Sequence, residues 1–212
     1  MNDKLAALQE IITNVKAHTC SLRAGCQQAV PGEGNPSSPI VFIGEGPGRV
    51  EDEQGRPFVG PAGQVLNKLL ASIGFQREDV YITNVVKCRP PGNRDPSPEE
   101  VAEHHDFLTR ELELIQPKLI ILLGRHALHW FLPNEQISKV RGKAKRQGQY
   151  VYFPIYHPAA TLHNPNLLKD LQADFLKIPA IIQKINEAPA SAPAPTDSNP
   201  AAPHPPAQLA IF

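Results

Sequence analysis

The sequence predicts an α/β fold of three layers, with helices on both faces of a central four-stranded parallel sheet. Four short apolar runs carry the prediction: "IVFIG" (40–44), "VYITNVV" (80–86), "LIILLG" (119–124) and "YVYFPIYH" (150–157). Helical patterns fill the wide gaps between the first three. Strands buried on both faces read as continuous apolar runs, and their alternation with helices indicates parallel crossovers. A third observation bounds the domain, because the composition changes after about residue 185 to "EAPASAPAPTDSNPAAPHPPA", which cannot bury a core.

In chain order, Leu5, Leu8, Ile12 and Val15 recur at helical spacing behind Asp3, which reads as an amphipathic helix with its N-cap. After the first strand, "AGQVLNKLLASIG" reads as a helix, and after the second so does "SPEEVAEHHDFLTRELELI". Ser97 caps the latter, with Glu100 three residues on completing a capping box. A short helix around 125–132 and a basic loop precede the fourth run. The expected organisation is one domain over 1–185, a disordered Pro/Ala-rich linker over 186–207, and a terminal peptide, "QLAIF", at 208–212. About 20 residues in polyproline geometry would reach roughly 60 Å. Apolar residues at the tip of such a tail suit a docking peptide.

With 212 residues and 41% hydrophobic content the chain can build a single core. No apolar run resembles a signal peptide or approaches the roughly 18 residues of a membrane span, which predicts a cytoplasmic protein with no membrane partner. Three cysteines in a reducing compartment point to free thiols or metal ligands rather than disulfides. A formal net charge of zero means that a case for nucleic acid must rest on local features.

Parallel sheets gather ligands at the carboxyl ends of their strands, which singles out Gly44–Gly48, Asn84–Arg89, Gly124–His126 and His157–Pro158. The glycine-rich "GEGPG" is a poor dinucleotide loop. Its spacing is wrong, it contains a proline, no helix is expected promptly after it, and Glu45 would repel phosphate. Asn84 is polar in an apolar strand, and its amide offers donors and an acceptor suited to the edge of a base. His157, ending the fourth run, could stabilise a developing anion.

Together "GEGPGRVEDEQGRPFVGPAG", "VYITNVVKCRPPGNRDPSPEE", "LIILLGRHAL" and "YHPAATLHNP" resemble the family 4 (type-4) uracil-DNA glycosylases, over roughly residues 17 to 180. The resemblance implies a DNA repair enzyme that flips deoxyuridine out of the stack and releases uracil. In that reading Phe58 stacks on the uracil face, Asn84 bonds the edge that separates uracil from cytosine, and Glu51 crowds the C5 side against thymine's methyl. Gly44 belongs with these substrate-binding positions. His157 donates toward O2 as the glycosidic bond breaks. Glu45 stabilises the oxocarbenium-like sugar, and secondarily serves as general base toward the attacking water.

Local basicity fits a DNA partner. Arg141, Lys143, Lys145 and Arg146 precede the fourth run, and Lys87, Arg89 and Arg94 flank the asparagine strand. Leu162 is a candidate wedge for the gap left by the flipped base, and His163 stands where the family often has arginine. The tail resembles the bacterial sliding-clamp-binding peptide, with Gln208 as polar anchor and Leu209, Ile211 and Phe212 as apolar plugs. The protein is expected to be a bacterial monomer.

The resemblance also implies a [4Fe–4S] cluster on four cysteines, and here the chain departs from the pattern. Cys20 and Cys88 match the second and third ligands, but the first falls on Ala17 and the fourth on His104, while Cys26 occupies a non-ligand place. Three readings stay open: a cluster on Cys20, Cys26, Cys88 and His104, a Cys3His zinc site on the same residues, or no metal. The rival to the enzyme reading is a weak or inactive DNA-binding relative recruited to the clamp.

Overall fold

A computed structural model describes residues 2–187. The first half runs α1 (Asn2–Ala17), β1 (Glu33–Gly34), β2 (Ile40–Gly44), α2 (Arg49–Gln54), α3 (Pro61–Ser72) and β3 (Tyr81–Asn84). There follow α4 (Pro98–Ile115), β4 (Leu119–Leu123), α5 (Gly124–Phe131), α6 (Ile137–Val140), β5 (Lys145–Gln147) and β6 (Tyr150–Ile155). Three helices close the described chain: α7 (Ala160–His163), α8 (Leu167–Phe175) and α9 (Ile178–Glu187). The tail residues Gln208, Leu209, Ile211 and Phe212 lie outside the described residues.

The four apolar runs form the parallel core of the sheet, in the order β3-β2-β4-β6. Alternate strand residues supply the two faces. Phe42, Ile82, Ile121 and Phe153 pack against Leu66 and Leu70 of α3 and Phe175 of α8. Val41, Ile43, Ile120 and Leu122 pack against Leu8 of α1, Leu108 and Leu112 of α4, and Leu128 of α5. A fully buried leucine such as Leu66 contributes roughly 1.5–3 kcal/mol. Since both faces need cover, the three-layer architecture follows. No helix among the described residues is long and apolar enough to cross a membrane.

Three details differ from expectation. Among the described residues the sheet has six strands, because β1 and β5 pair antiparallel at its two edges. β5, in the segment expected to be a basic loop, is wholly exposed, so no apolar pattern marks it. A helix also follows the glycine loop promptly: α2 starts at Arg49, immediately after Gly48 in extended conformation. The capping box is present, with Glu100 N–H donating to Ser97 Oγ and Ser97 N–H to Glu100 Oε2. Finally, α9 continues two residues beyond the expected boundary at 185, to Glu187.

A buried ion pair fixes the far end of β3. Lys87 Nζ lies 2.7 Å from Glu111 Oε2, and both side chains are essentially inaccessible. Nζ also donates to Thr83 Oγ1 at 2.7 Å and to the Asn84 carbonyl at 2.9 Å, so its three protons are all placed. Lys87 therefore anchors the strand that carries Asn84 and offers nothing to phosphate.

Candidate active site

The carboxyl ends of the four parallel strands open on one cavity of about 630 Å³, whose wall includes Glu45, Glu51, Phe58, Asn84, His126 and His157. Gly44 and Asn84 end adjacent strands in register. A Cβ on Gly44 would overlap the Asn84 side-chain oxygen and lie 2.6 Å from Phe58 Cζ, so only glycine lets these two groups approach. Asn84 is 2% exposed, yet its Oδ1 has no hydrogen-bond partner among the described residues. An unmet buried acceptor costs about 1–3 kcal/mol. The atom is thus set to take a hydrogen bond from whatever fills the cavity.

Phe58 holds a left-handed backbone (φ 52°), a conformation that bulky residues adopt only when their surroundings impose it. Two groups do so. Arg77 donates to the Pro57 carbonyl and, at 3.0 Å, to the Phe58 carbonyl. Glu51 Oε1 accepts from the Val59 and Gly60 amides at 3.0 and 2.7 Å. The Phe58 ring is thereby carried to 5.5 Å from that of His157, at 30° between planes.

His157 Nδ1 accepts the Ala159 amide at 3.1 Å, which leaves the neutral ring's proton on Nε2. Burial, and then the neighbouring His126, lower its pKa to about 4, so the ring is neutral at physiological pH. Gly124 supports it from beneath: its φ of +86° suits glycine, and a Cβ there would stand 2.9 Å from His157 Cβ.

At the cavity mouth Glu45 is pushed up to about 7, chiefly by burial and then by the charge of Asp95, against the opposing pull of Arg125. His126 Nε2 lies 3.6 Å from Glu45 Oε2 and 3.1 Å from Asp95 Oδ1. Arg125 donates to the same nitrogen at 2.8 Å and bonds Asp95 at 2.9 Å. Neutral His126 accepts from Arg125 at Nε2, whereas a protonated ring would donate from that nitrogen to Asp95. Asp95, Arg125 and His126 carry no individual signal in the sequence beyond the place of Gly124–His126 at a strand end.

The basic residues divide. Arg141 bonds Asp174 at 2.7 Å and Asp170 at 2.9 Å and lies 4.9 Å over the Tyr156 ring, so it ties the end of β6 to α8 instead of facing solvent. Arg94 is likewise paired, with Glu100. Arg89 is half-buried and donates to Asn93 Oδ1 at 2.6 Å. Lys143 is exposed, and donates to the Lys139 carbonyl at 3.1 Å. Leu162 on α7 is 49% exposed.

Away from the cavity the three thiols gather between α1, the segment after β3, and α4. The buried Cys88 lies in the cluster on which Cys20 and Cys26 pack, and burial, followed by the neighbouring thiols, pushes its pKa up. Cys26 is turned to its own loop, with Sγ donating to the Arg23 carbonyl at 3.7 Å and accepting from Arg23 Nη1 at 3.6 Å. One ring nitrogen each of His18 and His104 and the Sγ of Cys20 all lie within 4.8 Å of one another. This group can hold a metal ion. It does not fit a four-thiolate cluster, because histidine stands at 104 and alanine at 17. Cysteine spacing does not mark His18.

Comparison with known proteins places these features in a family. The model of the Uracil DNA glycosylase superfamily matches residues 31–182. A type-4 uracil-DNA glycosylase of Archaeoglobus fulgidus is 48% identical over 184 residues, covering 82% of this chain and 92% of the relative. Proteins of the same description from Saccharolobus solfataricus (49%, covering 77% and 80%) and Thermotoga maritima (44%, covering 84% and 96%) are similar to it. With the fold, the strand-end cavity and relatives of this extent in agreement, the chain belongs to the type-4 uracil-DNA glycosylases of the uracil DNA glycosylase superfamily.

Proposed function

We propose that the chain removes uracil from DNA by hydrolysing the N-glycosidic bond of deoxyuridine. The observation that carries this reading is the unpartnered Oδ1 of Asn84 on the cavity wall. Uracil presents N3–H to such an acceptor, whereas cytosine presents a lone pair there and is rejected. A base inside the duplex cannot reach the cavity, so the nucleotide must be flipped in, to stack on Phe58. Gly44 gives it room, and Glu51, fixed on the Val59 and Gly60 amides, forms the wall toward C5, where a thymine methyl would be crowded.

As the C1′–N1 bond breaks, its electron pair leaves with uracil and spreads to O2. Neutral His157 offers Nε2–H to that oxygen, and one preorganised donor of this kind typically contributes about 3–4 kcal/mol. Water forms the new C1′–O bond and gives its proton to the Glu45 carboxylate, whose pKa of about 7 suits a base at physiological pH. The same negative charge stabilises the cationic sugar. The products are uracil and an abasic deoxyribose. Exposed Lys143 and half-buried Arg89 take backbone phosphates, Leu162 fills the vacated stack, and Arg141 serves by holding α8.

For the tail, Gln208, Leu209, Ile211 and Phe212 would seat in a sliding clamp, tethering a monomeric cytoplasmic enzyme to replicating DNA. Incubating the protein with an oligonucleotide containing one uracil tests the activity. Free uracil and an alkali-labile abasic site are expected; retained DNA binding without uracil release would favour the inactive relative instead.

A further inference from the structure

The thiol and imidazole groups between α1, the segment after β3, and α4 form a site that takes no part in the reaction above. We infer that His18, Cys20, Cys88 and His104 make a tetrahedral Cys2His2 site for one zinc ion, with His18 supplying the donor that Ala17 cannot.

The unmet nitrogens come first. Nε2 of His18 and Nε2 of His104 are both buried without a hydrogen-bond partner among the described residues. Buried polar atoms are rarely left bare, and two unmet imidazole nitrogens on rings 5.2 Å apart call for a shared partner such as an ion. His104 is wholly inaccessible, and its Nδ1 lies 2.7 Å from the Glu100 carbonyl. That bond places the ring proton on Nδ1 and leaves the Nε2 lone pair free, the arrangement by which a backbone carbonyl orients a metal-binding imidazole. His18 follows directly on the last residue of α1, where its amide closes a turn on the Val15 carbonyl at 3.2 Å. The next-but-one residue is Cys20, so a single turn delivers two donors.

Geometry selects the kind of metal. Donors sharing one ion at about 2.0–2.3 Å lie no more than about 4.6 Å apart. The His18, Cys20 and His104 donors lie within 4.8 Å of one another, and the buried Cys88 belongs to the cluster on which Cys20 packs, so a small movement of its thiol completes the set. A cubane cluster instead sets its outer ligands on four different irons, and a two-iron cluster of mixed ligation segregates histidines on one iron from cysteines on the other. Here a thiolate and two imidazoles converge on one point, and tetrahedral S2N2 coordination suits zinc. Cys26, held by Arg23, stays outside the set. The ion would pin the end of α1 to α4 and to the segment four residues beyond Asn84.

The test is metal content of the full-length protein as purified, with the spectrum of its cobalt-substituted form. One zinc per chain and no visible charge-transfer absorption are expected, and cobalt should give the intense visible bands of a tetrahedral thiolate site. His18→Ala should weaken zinc binding by more than the roughly 10- to 100-fold that loss of an outer-shell partner brings. Cys26→Ser should bind zinc like the parent. If His18→Ala folds poorly, His18→Cys provides the second reading: it should retain zinc and add sulfur-to-cobalt charge-transfer intensity. Iron with inorganic sulfide, absence of bound metal, unchanged zinc affinity in His18→Ala, or a cobalt spectrum unaltered by His18→Cys would overturn the assignment.

Discussion

The side-chain oxygen of Asn84 sits against the bare Cα of Gly44, its partner across two parallel strands, so closely that a methyl group on Gly44 could not be accommodated. The same methyl would strike Phe58. Gly44→Ala should therefore leave the fold intact but displace both groups, and misplacement by about 1 Å costs roughly 100-fold in rate. Single-turnover uracil excision, with circular dichroism as the folding control, measures it. A variant within threefold of wild type would mean that the pocket has more slack than this contact allows.

Besides walling the C5 side, Glu51 is expected to position Phe58. Its carboxylate holds the two amides that follow the left-handed residue. Glu51→Ala leaves those donors unmet, which should cost about 1–3 kcal/mol of stability and release the ring. Glu51→Gln keeps an acceptor oxygen and should restore most of both losses. Thermal unfolding and excision rate should move together across the pair; a rate loss in Glu51→Gln with unchanged stability would assign the carboxylate a direct role at the base.

Excision should depend on pH through Glu45. Its raised pKa means that the carboxyl is protonated below about 7, so kcat/KM should fall tenfold per pH unit as pH drops beneath that value. His157, lowered to about 4, stays neutral over the same range and adds no second break above pH 5. Glu45→Gln should be slower and flat with pH. A limb near 7 that survives in Glu45→Gln would belong to another group.

Lys87 is expected to matter for folding rather than for DNA affinity. Lys87→Met strands the Glu111 charge in the interior and should destabilise by about 3–5 kcal/mol. Adding Glu111→Leu should recover much of that, as a chemical denaturation cycle would show. Oligonucleotide affinity at matched folded fraction should be unchanged, and a loss of affinity there would restore Lys87 to the DNA surface.

The parallel core was legible because each central strand is buried on both faces and so reads as an unbroken apolar run. The edge strands were not, since Glu33–Gly34 and Lys145–Gln147 bury no side chain. Glu45, Asn84 and His157 could be found from the rule that ligands gather at strand ends. Asp95, Arg125 and His126 form a cluster only once a loop folds over the end of β4, and nothing in their local pattern announces it. Lys87 and Arg141 look solvent-facing in the sequence because their carboxylate partners lie 24 and 33 residues away. His18 escaped for a related reason: imidazole can replace a thiolate one position along, where cysteine spacing does not look.

The account rests on Asn84 and His157 gripping a flipped uracil, and the most direct measurement is single-turnover release of uracil from an oligonucleotide by wild type, Asn84→Ala and His157→Ala. Wild type should liberate uracil, leave cytosine and thymine in place, and lose about 100- to 1,000-fold when His157 is replaced. Asn84→Ala should lose at least about 100-fold while remaining folded. Uracil release at wild-type rate by either variant would contradict the account.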